Sequence, residues 1–458
     1  MSASTRASTI AAVILTVSAA AAQQASDPGI RQDGLPGAGG PVPNLPTPLT
    51  QLFLAGLATF KEVETVAGAN GGLGPTMNLN ACSGCHQSPA VGGTSPATNN
   101  PQVLFYNQSL NHTTNSLPFF ITLDGPVREA RFRSDGGVHD VFTIAGMTGA
   151  EACQMSQPDF VQAKAADDLI FRIPTPLFGA GLIEQITDST ILANLASPNT
   201  QSQKSAMGIN GRPNIVLAGN TISGQPNLNG NDGTVSRFGW KAQNKSLLLF
   251  AGEAYNVELG ISNELFQSER NETPACEFAT TPNDTTNPQL TGLAILSDIE
   301  RFAGFMRLLA PPAPSATVPG GAASISRGAA VFNQTGCALC HTPSLPTTDN
   351  SAIAALGGQV ANLFSDIALH HMGPGLADGI RQGQAGPDEF RTAPLWGLGK
   401  RAFFLHDGRT SDLIMAIHQH RSAASGATPA SEANAVINAF DTLGVRAQQD
   451  LLNFLRSL

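Results

Sequence analysis

The sequence predicts a mainly α fold made of two small helical units, the N-terminal one enlarged by a long insertion with some β structure. Three observations carry this. The pattern Cys-x-x-Cys-His occurs twice, as Cys82-Ser83-Gly84-Cys85-His86 and as Cys337-Ala338-Leu339-Cys340-His341. Each copy follows a helix-like stretch that holds a Gly and a Phe: Thr50 to Glu64 (TQLFLAGLATFKEVE) before the first, Ile325 to Phe332 before the second. Between them, Pro311 to Gly321 (PPAPSATVPGG) is the best linker in the chain. It places a boundary at 311–323, between a long unit at 50–310 and a compact one at 324–458.

Taken in order, residues 1–22 read as a secretory signal peptide. Arg6 gives a positive start, Ile10 to Ala19 is apolar but too short to span a bilayer, and Ala20-Ala21-Ala22 offers a cleavage site. Residues 23–49 are rich in Gly and Pro and read as a flexible leader. In Thr50 to Glu64, Leu52, Leu54, Leu57 and Phe60 approximate a helical stripe with Thr50 as N-cap. Phe119 to Arg133 and Asp167 to Arg172 have strand character. A short helix is expected from Asp188 to Leu195, and Ser197 to Asp232 reads as a long loop or paired strands. Ser246 to Leu259 and Ile295 to Leu309 are the clear helices of the middle, and Ala447 to Leu458 is the closing amphipathic helix.

Cys-x-x-Cys-His is the attachment sequence of c-type haem: two thiols bond the vinyl groups and the adjacent imidazole binds iron. Two copies imply two covalently bound haems, held by Cys82, Cys85 and His86 and by Cys337, Cys340 and His341. A structural zinc site would need a second nearby ligand pair, and none is close. An exported protein fits covalent haem, and the periplasm or the exterior permits disulfides. Cys153 and Cys276 are then expected to pair. The net charge of −9 excludes nucleic acid as a partner, which needs a basic stripe, and suits a basic redox protein. Distal ligands are open at this level. The C-terminal candidates are His370, His371, Met372, His406, Met415, His418 and His420. The N-terminal ones are Met77, His112, His139, Met147 and Met155. An iron without a distal ligand would be open to peroxide or dioxygen, whereas a closed one mainly moves electrons.

From about Phe53 to Leu458 the chain resembles the di-haem oxidoreductase family, often labelled thiol-oxidoreductase-like. That family is related to bacterial di-haem cytochrome c peroxidases and to the methylamine-utilisation di-haem enzyme. The resemblance rests on both haem motifs, on Pro176 to Glu184, on Gly211-Arg212-Pro213-Asn214, on Arg237 to Ala242 and on Glu258 to Asn263. In the C-terminal part it rests on His371 to Gly379, Phe390 to Gly399, Phe404 to Arg409 and Leu452 to Leu458.

The resemblance implies two cytochrome c-like haem domains. It implies a distal ligand fourteen residues after the His of His406-Asp407-Gly408, which is His420, so that His341 and His420 would close the C-terminal haem. The family usually continues His-Gly-Gly-Glu-Ala here, whereas this chain has His420-Arg421-Ser422-Ala423-Ala424; Met372 is the second candidate. The resemblance also implies Glu184 as the catalytic carboxyl over an open N-terminal haem, and Trp240 as a relay between the haems. Arg212, Arg237 and Lys241 would neutralise haem propionates, and a calcium ion would sit near Arg391-Thr392-Ala393-Pro394. The expected function is an exported, peroxidase-like di-haem oxidoreductase. Electrons from a small redox protein would pass through the C-terminal haem to the N-terminal one, which would act on peroxide or a small organic substrate. The alternatives are an electron-transfer cytochrome without turnover and a haem-dependent oxygenase.

Overall fold

The computed structural model describes residues 24–68, 71–225 and 231–458, and the signal-peptide reading of 1–22 lies outside them. Thirteen α-helices and eleven short strands are found among these residues, and no strand exceeds four residues. The chain is mainly helical, as its sequence predicts.

Both halves use the same helix crossing. Thr47–Phe60 packs on Asp298–Leu308, and Ala322–Gln334 packs on Val445–Ser457. Each crossing is closed by a glycine: a Cβ on Gly56 would overlap the Arg301 carbonyl, and one on Gly328 would overlap the Asp450 carbonyl. One turn further on, Phe60 and Phe332 set their rings 6.0 Å and 6.4 Å from the imidazoles of His86 and His341. The Gly and Phe of the repeated sequence are therefore one repeated piece of geometry.

Local chemistry sets the helix ends. Asp298–Leu308 begins with a capping box between Ser297 and Glu300, and Ser246 caps Leu247–Leu259 through a 3.2 Å bond from the Leu249 amide. Thr50 does not cap the first helix. That helix starts at Thr47 because a proline in the first turn already has helical φ, and the Thr50 hydroxyl bonds back to the Pro46 carbonyl at 3.3 Å. Between Ser197 and Asp232 lies a further helix, Pro198–Met207, which ends at left-handed Gly208. Only Lys204 of it is buried, so it carries no apolar stripe to read. Asn214–Ile215 then pairs with Val235–Ser236.

The insertion is a small three-stranded sheet, Val138–His139, Glu129–Phe132 and Leu169–Arg172, surrounded by loops. The disulfide Cys153–Cys276 ties it down, as the sequence leads one to expect. It also reaches the C-terminal half. Arg212 and Leu369 exchange two backbone bonds, of 3.0 and 2.8 Å, and the buried Arg172 pairs with Asp378 at 2.6 Å.

The leader corrects its sequence reading. Residues 24–46 hold fixed contacts along both halves: Asp27 pairs with Arg456, the Arg31 amide bonds Gly399, and the Val42 amide bonds Leu308. Low hydrophobicity misleads here because backbone and charged groups make these bonds. The 311–323 connection is also packed, through Ala313 to Pro36 and Ser315 to Ser457.

Candidate haem and active sites

Two cavities lie against the two Cys-x-x-Cys-His segments. The first, of about 1100 Å³, is lined by Cys82, Cys85 and His86 at one side and by the helix Leu247–Leu259 at another. His86 Nδ1 faces the Gly93 carbonyl at 3.0 Å, which directs the proton to Nδ1 and leaves Nε2 as the metal-binding atom. Burial lowers its pKa to about 4, so the imidazole is neutral, the form that binds a metal.

The polar wall of this cavity is a set of buried carboxyls. Glu129 and Glu258 line it and hydrogen-bond to each other, and the Asn78 amide donates to Glu258 at 3.0 Å. Burial raises Glu258 well above the carboxylate range, and the neighbouring Glu129 charge adds to it. Burial pushes Glu129 up too, but Arg131, 2.6 Å away, the hydrogen bond from Glu258 and the Arg172 charge together outweigh that and keep its pKa low. Of the pair, Glu258 is the one pushed toward its neutral form and Glu129 the one held toward its ionised form. Among the described residues lining this cavity, His86 is the one histidine and Met306 the one methionine. Met306 follows Phe302 by one turn on the helix that packs against Phe60, the ring beside His86.

The second cavity, of about 1330 Å³, is lined by Cys337, Cys340, His341 and His420, with Met372, His370 and His406. His341 Nδ1 faces the Phe364 carbonyl at 3.0 Å, and His420 Nδ1 faces the Ala416 carbonyl at 2.7 Å. Both imidazoles thus offer Nε2, and burial holds both below the usual histidine range. His370 is excluded as a ligand because its ring nitrogens are taken by Glu432 at 2.7 Å and Asp366 at 3.0 Å. His371 is held by Asp388 at 2.9 Å, and His418 and Met415 lie at the surface.

Trp240 lines both cavities. Its Nε1 donates to the Ile173 carbonyl at 2.8 Å, and its ring meets His406 edge-on at 6.4 Å, with His406 stacked on Phe390 at 4.3 Å.

The donor set fits haem. Besides thiols and imidazoles, the second cavity presents two buried guanidiniums with no acidic partner, Arg391 and Arg401, and the first a half-buried one, Arg128, with Asp407 near it. Arg391 donates to the Gly239 carbonyl and Arg401 to the Pro394 carbonyl; Arg128, at the first cavity, bonds the Asp407 and Phe120 carbonyls. Burial, then a neighbouring guanidinium charge, pulls Arg391 and Arg401 down to about 10. Unpaired buried cations are costly, and propionates would complete them. Arg212, Arg237 and Lys241 do not have this role: they pair with Glu389, Asp188 and Asp378 and line neither cavity.

Calcium does not fit the junction. The Thr392 carbonyl accepts from Ser365 at 2.6 Å and the Pro394 carbonyl from Arg401. The cation at this place is Lys241: its ammonium, with no solvent exposure, bonds the Gly386 and Glu389 carbonyls at 2.8 and 3.0 Å and Asp378 at 3.1 Å. Burial, partly offset by Asp378, lowers it to about 8. The described residues contain no cluster of three metal-ligating side chains.

Glu184 also departs from expectation. It does not line the cavity. Its carboxylate is held by Arg307 at 2.5 Å and accepts the Leu247 amide at 2.8 Å, so it anchors the start of the helix that carries Glu258. Met77, His112, His139, Met147 and Met155 line neither cavity. Glu258 escaped the sequence reading although it opens one of the quoted motifs. A glutamate at a helix end looks solvated, and the signal available was its helical phase with Tyr255 and Ala254.

These sites and this fold define a di-haem redox protein. A family model described as "Di-haem oxidoreductase, putative peroxidase" matches residues 140–458, and the chain belongs to that family. No curated protein sequence matches the chain. Among solved structures, a Kuenenia stuttgartiensis hydrazine synthase is 16% identical, with 46% of this chain and 60% of that one aligned, at a TM-score of 0.25. A MauG-like protein associated with microbial copper homeostasis is 18% identical, with 48% of this chain and 68% of that one aligned, at a TM-score of 0.29.

Proposed function

We propose that the protein is an exported oxidoreductase with two covalently bound c-type haems, each in a cytochrome c-like domain, that reduces peroxide at its N-terminal haem. The observation that supports this reading is the inequality of the two cavities. One offers two imidazoles, His341 and His420, for the two faces of an iron. The other offers His86 alone, with the hydrogen-bonded pair Glu129 and Glu258 on its wall.

Bound haem supplies an iron that can take up peroxide and pass electrons. The chain supplies the rest. Cys82, Cys85, Cys337 and Cys340 would form the thioethers, His86 and His341 would bind the irons, and Arg128, Arg391 and Arg401 would meet propionates. Reducing peroxide to two waters takes two electrons from the donor and two protons from solvent, because the exchange through the two carboxyls gives one proton and takes one. Glu258, held neutral, gives a proton to the leaving oxygen, while ionised Glu129 can take one from the incoming peroxide. Trp240, bordering both cavities, would be the residue through which electrons from a small redox donor cross from the C-terminal site to the N-terminal one. No helix among the described residues is long and apolar enough to cross a membrane.

Spectra of the oxidised holoprotein test this. One low-spin haem and one that shifts on adding cyanide or peroxide are expected, with turnover of peroxide by a reduced cytochrome. Two low-spin, unreactive haems would leave an electron-transfer cytochrome instead. His420→Gly should turn the C-terminal haem high-spin; an unchanged spectrum would remove His420 as its ligand.

A further inference from the structure

We infer that the N-terminal leader is a latch on the C-terminal haem, and that Asp27 is the residue that holds His420 in place; this rests on His420 being the distal ligand. The helix that presents His420 is short, Leu413–His418. It has few bonds of its own to fix where it starts. Asp412 caps it through the Met415 amide at 2.8 Å, but the Leu413 amide is satisfied from outside, by Asp27 Oδ2 at 2.8 Å, across nearly the whole length of the chain. Leu413 and Ala416 line the cavity, and the Ala416 carbonyl receives His420 Nδ1. A shift of this helix along its axis therefore moves the atom that would meet the iron.

Asp27 is held hard from its other side. Arg456 grips both its oxygens, at 2.7 and 2.6 Å, and this pair is almost wholly buried, with 1% of the Arg456 side chain and 8% of the Asp27 side chain exposed. Arg456 also donates to the Arg401 carbonyl at 3.0 Å and lies over the Phe404 ring at 4.9 Å; Arg401 and Phe404 both line the haem cavity. The leader is pinned on both flanks. Ser26 and Gln449 exchange bonds of 2.9 and 3.0 Å, and the Arg31 amide bonds Gly399 at 2.8 Å. Further on, the Val42 amide bonds Leu308, on the helix whose Phe302 and Met306 line the other cavity. One strap thus runs from the distal helix of one haem to a wall of the other. Asp27 is a positioning residue: it touches no haem and acts through Leu413.

The test compares the full-length holoprotein with Asp27→Ala and Asp27→Asn. Asn keeps one acceptor oxygen for the Leu413 amide and loses the charge that Arg456 grips. The readouts are the spin state of each haem and the rate at which the reduced C-terminal haem binds carbon monoxide. The N-terminal haem in the same molecule reports general damage. With Asp27→Ala, a high-spin fraction at the C-terminal haem and carbon monoxide binding faster by on the order of tenfold are expected, with Asp27→Asn between it and the parent. The N-terminal spectrum should not move. An unchanged C-terminal haem in both variants, with a bis-histidine spectrum in the parent, would overturn the latch. So would equal changes at both haems, which would mean loss of fold. A parent whose C-terminal haem is not bis-histidine would remove the His420 reading itself, and the latch with it.

Discussion

Under the proposed function, Glu258 is the residue on which the chemistry turns. Its carboxyl is buried, hydrogen-bonds to Glu129 and lines the cavity in which His86 is the one histidine among the described residues. Glu258→Gln keeps the size and the bond from Asn78 but cannot pass a proton. Peroxide turnover should fall by roughly 10²–10⁴-fold with both haem spectra intact; a variant with parental turnover would exclude Glu258. Glu184→Gln should lower the melting temperature and leave that proton step alone. Several other buried carboxyls set the pH dependence. Burial raises Glu64 and Asp140 to about 7 and Asp284 to about 6. These groups are neutral when folded and ionise in the unfolded chain at about 4. The unfolded chain thus binds fewer protons, and stability should decline as pH rises from about 4 to 7. Asp27 and Asp378 are held below the usual range despite burial, by Arg456 and by Arg172, so their contribution is lost on acidification below about 4. The melting temperature of the holoprotein should peak near about pH 4, and Glu64→Gln, which keeps a partner for Tyr255, should flatten the alkaline side.

At the scale of elements, each haem unit depends on one glycine crossing. Gly328→Ala sets a methyl against the Asp450 carbonyl and Gly56→Ala sets one against Arg301. Backbone cannot step aside as a side chain can, so each should destabilise by about 1–3 kcal/mol. Each should also disturb its own haem through Phe332 or Phe60, because those rings lie on the same helices beside His341 and His86. Denaturation and optical spectra of the two variants check both parts. A loss of stability with no change at the matching haem would separate the crossing from the site.

For the whole molecule, the junction is made of side chains. Trp240 is the residue that both cavities share, so Trp240→Leu should slow turnover with an external donor while leaving haem content and peroxide binding intact. Equal rates would route electrons elsewhere. Lys241 fills the cation position nearby, so a calcium chelator should change neither the melting temperature nor turnover, whereas a fall in either would reinstate a bound ion.

Much of this was legible in the chain itself. The two Cys-x-x-Cys-His copies, the Gly and Phe helices before them, the helix at Asp188–Leu195 and the Cys153–Cys276 pair are local patterns, each set by residues close in sequence or by composition. What the sequence left open was every partner brought from afar. Glu184 and Glu258 are both glutamates near helix ends, and nothing local tells which will be tied by Arg307 and which will face a cavity. Lys241 looks like a surface cation until Asp378 closes on it, and residues 24–46 look flexible until Arg456 and Leu413 receive Asp27. The sequence by itself determined that two Cys-x-x-Cys-His segments exist and where their helices lie, because thiol spacing and helical periodicity are properties of neighbours. The tertiary structure decided which charge is neutralised and which stays poised, because burial and pairing depend on residues hundreds of positions apart.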